Sequence, residues 1–210
     1  MKPFQAHRLL AYTLALLLAS CATSGFADES FGLGAHITDR LETARDAVRE
    51  VLKRGDASVQ ACAMRGIYTC TDTEADITVA LQDLDYDGRI DVIRLCSTTY
   101  ERSAFAHLGG PEPENIRREY EETEYAELVA AFRAKHPGVK TAEGITLGST
   151  YGELCDAYEQ TPLSREQVGM KRRVVYRRGS LNLIFVLIRD RVVQMVLVRN
   201  EDFDRIYGKL

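Results

Sequence analysis

The sequence lacks the common signatures of catalysis. It has no G-x-S-x-G nucleophile turn and no H-E-x-x-H zinc helix. It also has no C-x-x-C pair and no two histidines at ligand spacing, which argues against a zinc site. His36, His107 and His136 are scattered, and His136 falls at an expected helix end, where a cation is favoured. No apolar run is long enough to span a bilayer. The longest, Leu9 to Leu18, is interrupted only by Thr13 and is too short. Nor is there an excess of positive charge. The net charge is −4, which excludes a protein built for non-specific nucleic-acid binding.

What is present describes an exported globular chain. Hydrophobic residues make up 45% and charged residues 28% of 210 residues, enough for a packed core. Lys2 and Arg8 precede the short apolar run, the pattern of a secretory signal over residues 1–20. "LASC" follows, from Leu18 to Cys21. This stretch resembles the lipobox of bacterial lipoproteins, a branched apolar residue and two small ones before cysteine. The resemblance implies lipidation of Cys21 and a membrane anchor through the new N-terminus. Ala22 and Thr23 stand where the family's inner-membrane retention signal has aspartate, which implies an outer-membrane protein facing the periplasm. Ordinary secretory cleavage, giving a soluble periplasmic protein, is the alternative; Ser20 and Ala22, or Gly25 and Ala27, would permit it.

In an oxidising compartment the four remaining cysteines, Cys62, Cys70, Cys96 and Cys155, are candidates for two disulfides, with three pairings open. Cys155 reads equally as a buried helix thiol.

Residues 21–37 are rich in small and polar residues and read as a tether. A first α+β unit is expected over 38–140. Leu41, Ala44, Val48, Val51 and Leu52 recur at helical spacing behind a capping Asp39, with Gly55 as the stop. From Ile77 the period becomes two. "ITVALQ" and "IDVIRL" flank a polar loop and predict a hairpin. "GGPEPEN" breaks the chain, and a glutamate-rich helix is expected from about Ile116 to Lys135, with Tyr120, Leu128 and Phe132 inward.

Residues 141–210 form the second expected unit. Thr150 and Glu153 make a capping box, and Ser164 with Gln167 a weaker one. Three strand-like runs follow, between Arg172 and Arg199. The expected class is therefore α+β: a helix and hairpin, then helices packed on a three-stranded antiparallel meander. Gly144-Ile145-x-Leu147-Gly148, Glu153-Leu154, Tyr158 and those strands resemble the α-α-β-β-β modules of BamE-like envelope lipoproteins and of β-lactamase-inhibitory-protein-like domains. The likeness covers about a third of the chain. It departs at Glu159-Gln160, where those modules have glycine, and it implies a protein-binding scaffold.

The hairpin loop carries the main chemical signal. In "DLDYDGRID", Asp83, Asp85 and Asp87 fall at loop positions 1, 3 and 5. Gly88 permits a sharp turn, the Arg89 carbonyl follows, and Asp91 falls at position 9. Calcium takes six to eight such oxygens. Arg94 stands where an EF-hand has its closing glutamate, so the loop is closer to the D-x-D-x-D-G-x-x-D loops that bind calcium in integrin-like propeller repeats. A plain turn of good turn formers is the simpler reading, but it needs one Asp-Gly pair, not four carboxylates that repel one another. Lys171, Arg173 and Arg177 share a strand face and form a basic stripe, more simply an outer face kept in solvent.

Together these features predict an exported, lipid-anchored envelope protein. It would serve as a binding scaffold with a structural calcium ion (Ca2+), its partner another envelope component and not nucleic acid. A periplasmic inhibitor or immunity protein, and a hydrolase with structural calcium, are the alternatives.

Overall fold

The computed structural model describes residues 29–52, 59–75, 77–97, 122–159, 161–168 and 171–207. Cys21, residues 1–28, the stop at Gly55, His107 and the start of the glutamate-rich helix lie outside them.

Eight strands form one antiparallel sheet in the order β1-β2-β3-β4-β8-β7-β6-β5. They are β1 (Val59–Met64), β2 (Ile67–Asp72), β3 (Ile77–Gln82), β4 (Val92–Ser97), β5 (Ser164–Val168), β6 (Lys171–Arg178), β7 (Leu181–Ile188) and β8 (Arg191–Arg199). The helices are α1 (Leu41–Leu52), α2 (Glu122–Lys135), α3 (Tyr151–Ala157) and α4 (Asn200–Tyr207).

This corrects the expected architecture. The predicted hairpin and the predicted meander both exist, as β3–β4 and β6–β7–β8, but they are parts of a single sheet joined where β4 pairs with β8. Ser164 to Val168, expected to begin a helix, is an edge strand. Each of its residues pairs with β6, and that ladder overrides a weak local capping signal. The capping box at Thr150 forms as expected, with Glu153 N–H donating to Thr150 Oγ1 at 3.1 Å and Thr150 N–H to Glu153 Oε2 at 2.7 Å.

Residues 29–37, within the expected tether, are packed. Phe31, Leu33 and Ala35 are fully buried. Two N–H groups, of Ser30 and Phe31, donate to Glu29 Oε1, and the Ala142 N–H donates to Glu29 Oε2. Burying a Phe or Leu side chain stabilises by roughly 1.5–3 kcal/mol, which offsets part of the backbone entropy lost on ordering this stretch.

The sheet is one unit used twice. In the first, the Thr38 N–H donates to Ile90 O, Ile90 N–H to Asp39 O, and Leu41 N–H to Gly88 O. The second repeats the pattern: Gly148 N–H to Val192 O, Val192 N–H to Ser149 O, and Tyr151 N–H to Asp190 O. Backbone conformation repeats too. Gly34 and Gly144 have φ of 70° and 88°, and Thr38 and Gly148 have 76° and 78°. Each motif leads into a helix, α1 or α3, on the same face of the sheet. Ile90 and Val192 are thus equivalent. Four residues beyond each come Arg94 and Val196, and these face each other across the β4–β8 seam. The seam is therefore a local two-fold between the two units.

The main core lies on the face covered by α1, α2 and α3, with Val48, Phe132 and Leu154 against Val79, Leu95, Met195 and Phe185. On the opposite face Phe203 of α4 packs with Val92, Val175, Ile184, Val196 and Val198.

No disulfide joins the four described cysteines in this structure. Register supplies the reason. Cys70 points into the main core, whereas Cys62 and Cys96 point to the other face. Those two sit on β1 and β4, roughly 14 Å apart at three strand spacings, while a disulfide needs Cα atoms within about 7 Å. Cys155 lies on α3, in the other unit.

Candidate metal centre

The loop between β3 and β4 spans residues 83–91, and the equivalent β7–β8 connection is the two-residue turn Arg189-Asp190. Both residues of that turn have positive φ, 47° and 66°, as a tight hairpin requires. The first unit thus carries a much longer loop where the fold itself needs only two residues.

Backbone donors shape the loop. Asp83 accepts from the N–H of Asp87 at 3.2 Å and of Gly88 at 2.8 Å. Asp85 accepts from Asp87 N–H at 3.2 Å, and Asp87 from Arg89 N–H at 2.8 Å, each two residues on, as short acidic side chains do in turns. Gly88 has φ of 86°, the conformation for which the sequence supplies glycine. Asp91 reaches back to accept from Leu84 N–H at 2.6 Å. The loop is pinned to the start of α1 by the Gly88 and Ile90 bonds above, and to Gly66 of the β1–β2 turn by the Asp83 N–H at 2.8 Å.

The result brings oxygen atoms of Asp83, Asp85 and Asp91 within 4.8 Å of one another, a group that could hold a metal ion. Asp83 and Asp91 are buried, Asp91 to 1% exposure, and Asp85 is open to solvent. Of the expected carboxylate ligands, Asp87 falls outside this group. The Asp87 carboxylate is turned to the Arg89 N–H, and the Arg89 side chain donates to Thr38 O at 2.8 Å.

A cation from the second unit offsets part of this negative charge. Arg199, the last residue of β8, contacts Asp91 Oδ1 and Asp85 Oδ2 through Nη2, the latter at 3.5 Å. Its Nε donates to Asp202 Oδ2 at 2.8 Å, and Nη1 pairs with Glu201 at 3.2 Å. Arg205 adds a bond from Nη2 to Leu84 O at 2.7 Å. Burial pushes the Asp91 pKa up, and the Leu84 N–H and Arg199 do not cancel that. For Asp85 the loss of water contact raises the pKa, but the Asp87 N–H and Arg199 outweigh it, and the net shift is downward. The buried carboxylate therefore lacks full compensation from Arg199 alone. No sequence pattern announces Arg199; the β4–β8 seam delivers it.

The basic stripe is committed to the protein itself. Arg173 bonds Glu166, Arg177 bonds Asn182, and Arg172 and Arg178 bond Asp190 and Glu143. His136 directly follows the last residue of α2 and is buried, with Nε2 3.0 Å from Asp72 Oδ2.

No known protein family matches the sequence, and no curated protein does. Among solved structures, a cysteine-rich secretory protein from Staphylococcus aureus subsp. aureus Mu50 is similar at 8% identity and a TM-score of 0.41. The match covers 82% of this chain and 47% of that one, so the chain spans about half the length of that protein. So distant a likeness carries no functional argument. Among the described residues no helix is long and apolar enough to cross a membrane.

Proposed function

We propose that the protein is an exported binding scaffold, held to the outer membrane through a lipidated Cys21, with calcium bound in the Asp loop as a structural staple. The observation that carries this reading is the convergence of Asp83, Asp85 and Asp91 within 4.8 Å, in a loop whose counterpart in the second unit takes two residues. Calcium is a hard cation that accepts carboxylates, backbone carbonyls and water in flexible geometry. Asp83, Asp85 and Asp91 would hold it, with the Arg89 carbonyl, Asp87 and water as further oxygens. The ion would neutralise carboxylates that Arg199 balances only in part, and would tie the β3–β4 hairpin to the β8–α4 corner. Its partner, on this reading, is another envelope component, recognised by the protein surface and not by a reaction centre.

The calcium test is thermal unfolding with and without saturating calcium. Binding to the folded state alone raises stability by roughly 2.7 kcal/mol at a hundredfold excess over Kd. The double variant Asp85→Ala, Asp87→Ala should lose the response, and identical melting of the unaltered chain in calcium and in chelator would reject the ion. The anchor is tested separately. Cys21→Ala should move the protein from the membrane fraction to the soluble periplasm, and unchanged fractionation would reject lipidation.

A further inference from the structure

A second concave site lies away from the Asp loop. A cavity of about 420 Å³ opens between the end of α2, the 137–149 loop and α3. That volume falls in the range of small-molecule pockets, roughly 300–1,000 Å³. Its charged groups are unequally committed. Glu143 accepts from Tyr158 OH and from Arg178 Nη1, each at 2.9 Å, and Glu153 is spent on the α3 capping box. Arg133 makes no ion pair among the described residues, although its charge helps hold the Glu153 carboxyl down. It donates only to Leu147 O and Ser149 Oγ, both at 3.3 Å. The Lys140 side chain, also on the rim, makes no ion pair.

The buried wall adds an oriented imidazole. The side chain of His136 is 2% exposed and lines the cavity. Asp72 holds Nε2 at 3.0 Å and is itself fixed by Lys135 Nζ at 2.8 Å and by the N–H groups of Glu74 and Ala75. An ionised carboxylate only accepts, so the ring proton sits on Nε2. Nδ1 makes no hydrogen bond to the described residues and is not sealed from solvent. A buried imidazole oriented by Asp72 thus lines the cavity, beside two cations that make no ion pair among the described residues.

We propose that this cavity binds a small organic anion bearing a carboxylate or phosphate group, with Arg133 and Lys140 taking the anionic oxygens and His136 Nδ1 bonding a hydroxyl or acid proton of the ligand. The inference is independent of calcium and of the anchor.

The probes are citrate and inorganic phosphate, titrated into the full chain in calcium-free buffer and followed by amide chemical shifts. Saturable shifts confined to residues 133–153 are expected with at least one of them. Lys140→Ala and Arg133→Gln should each weaken binding about tenfold, equal to about 1.4 kcal/mol. Lys140 is exposed and bonds the fold only through its backbone, so its variant tests the site without threatening folding. Lys171→Ala, outside the cavity, should leave the affinity unchanged. Absence of saturable shifts with both anions, or unaltered affinity in the Arg133→Gln, Lys140→Ala double variant, would overturn the proposal.

Discussion

Arg199 and Asp91 meet across the seam between the two units: the guanidinium at the end of β8 bonds a carboxylate that is 1% exposed at the start of β4. The same guanidinium reaches Asp85 and Asp202, so one side chain gathers carboxylates from the loop and from α4.

Removing that side chain leaves Asp91 buried without its cation. Arg199→Ala is expected to destabilise by about 3 kcal/mol, the usual cost of breaking one side of a buried pair. Under the calcium reading, the variant should also gain more from calcium than the unaltered chain does, because the ion then replaces the positive charge that Arg199 gave Asp91 and Asp85. Denaturant titrations with and without calcium measure both effects. A variant as stable as the parent would show that the pair contributes little.

Asp72 governs part of the acid limb of stability. Burial pushes its pKa up, but bonds from Lys135 and His136 and the Ala75 N–H outweigh this and bring it down from 3.8 to about 2. A carboxyl held lower in the folded state contributes stability that is complete above pH 3.8 and lost as pH falls towards 2. The contribution is about 2 kcal/mol. Asp72→Asn should lose it at neutral pH, and the stability curves of variant and parent should converge as pH approaches 2. Parallel curves over that range would contradict the assignment.

The thiols should titrate unequally. Cys62 is exposed and should react with a thiol reagent in the native protein, whereas buried Cys70 and Cys96 should react only on unfolding. Intact mass after non-reducing purification should show no intrachain disulfide. A mass two hydrogens light per bridge, with native thiols unreactive, would mean a register other than the one described.

Thr38 tests the equivalence of the two units. It holds φ of 76°, where the second unit has Gly148 at 78°. A β-branched residue is strained there by roughly 1–2 kcal/mol. Thr38→Gly should therefore stabilise by about 0.5–1 kcal/mol after glycine's larger unfolded-state entropy is deducted. The reciprocal Gly148→Thr should destabilise more, because a Cβ at Gly148 would come within 2.3 Å of the Val129 side chain.

Several elements were readable because their residues alternate or cap. Ile77, Val79 and Leu81 face one core, so β3 shows the period of two, and Thr150 with Glu153 announces α3. β1 gives no such signal, since all but Val59 of its residues are exposed and nothing forces them to alternate. In residues 29–37 the alternation of Phe31, Leu33, Ala35 and Ile37 was present, but the interleaved Gly32 and Gly34 made it read as tether. The repeat was hidden because "GAHITDRL" and "GITLGSTY" share backbone geometry more than residues. Of the candidate site, the carboxylates were legible from spacing. Arg199 was not, because only strand pairing carries it to the loop.

The seam has a kinetic consequence. Every other strand pairing in the sheet joins neighbours in sequence through a short connection, but Val92 must find Val198 across more than half of the chain. Two local meanders can therefore form early, and closure of β4 on β8 is the slow, entropically costly step. Until it closes, each meander shows a bare edge that matches the other meander of any chain nearby. Refolding at high concentration should thus yield chains that have exchanged halves, with the same eight-stranded sheet built from two molecules.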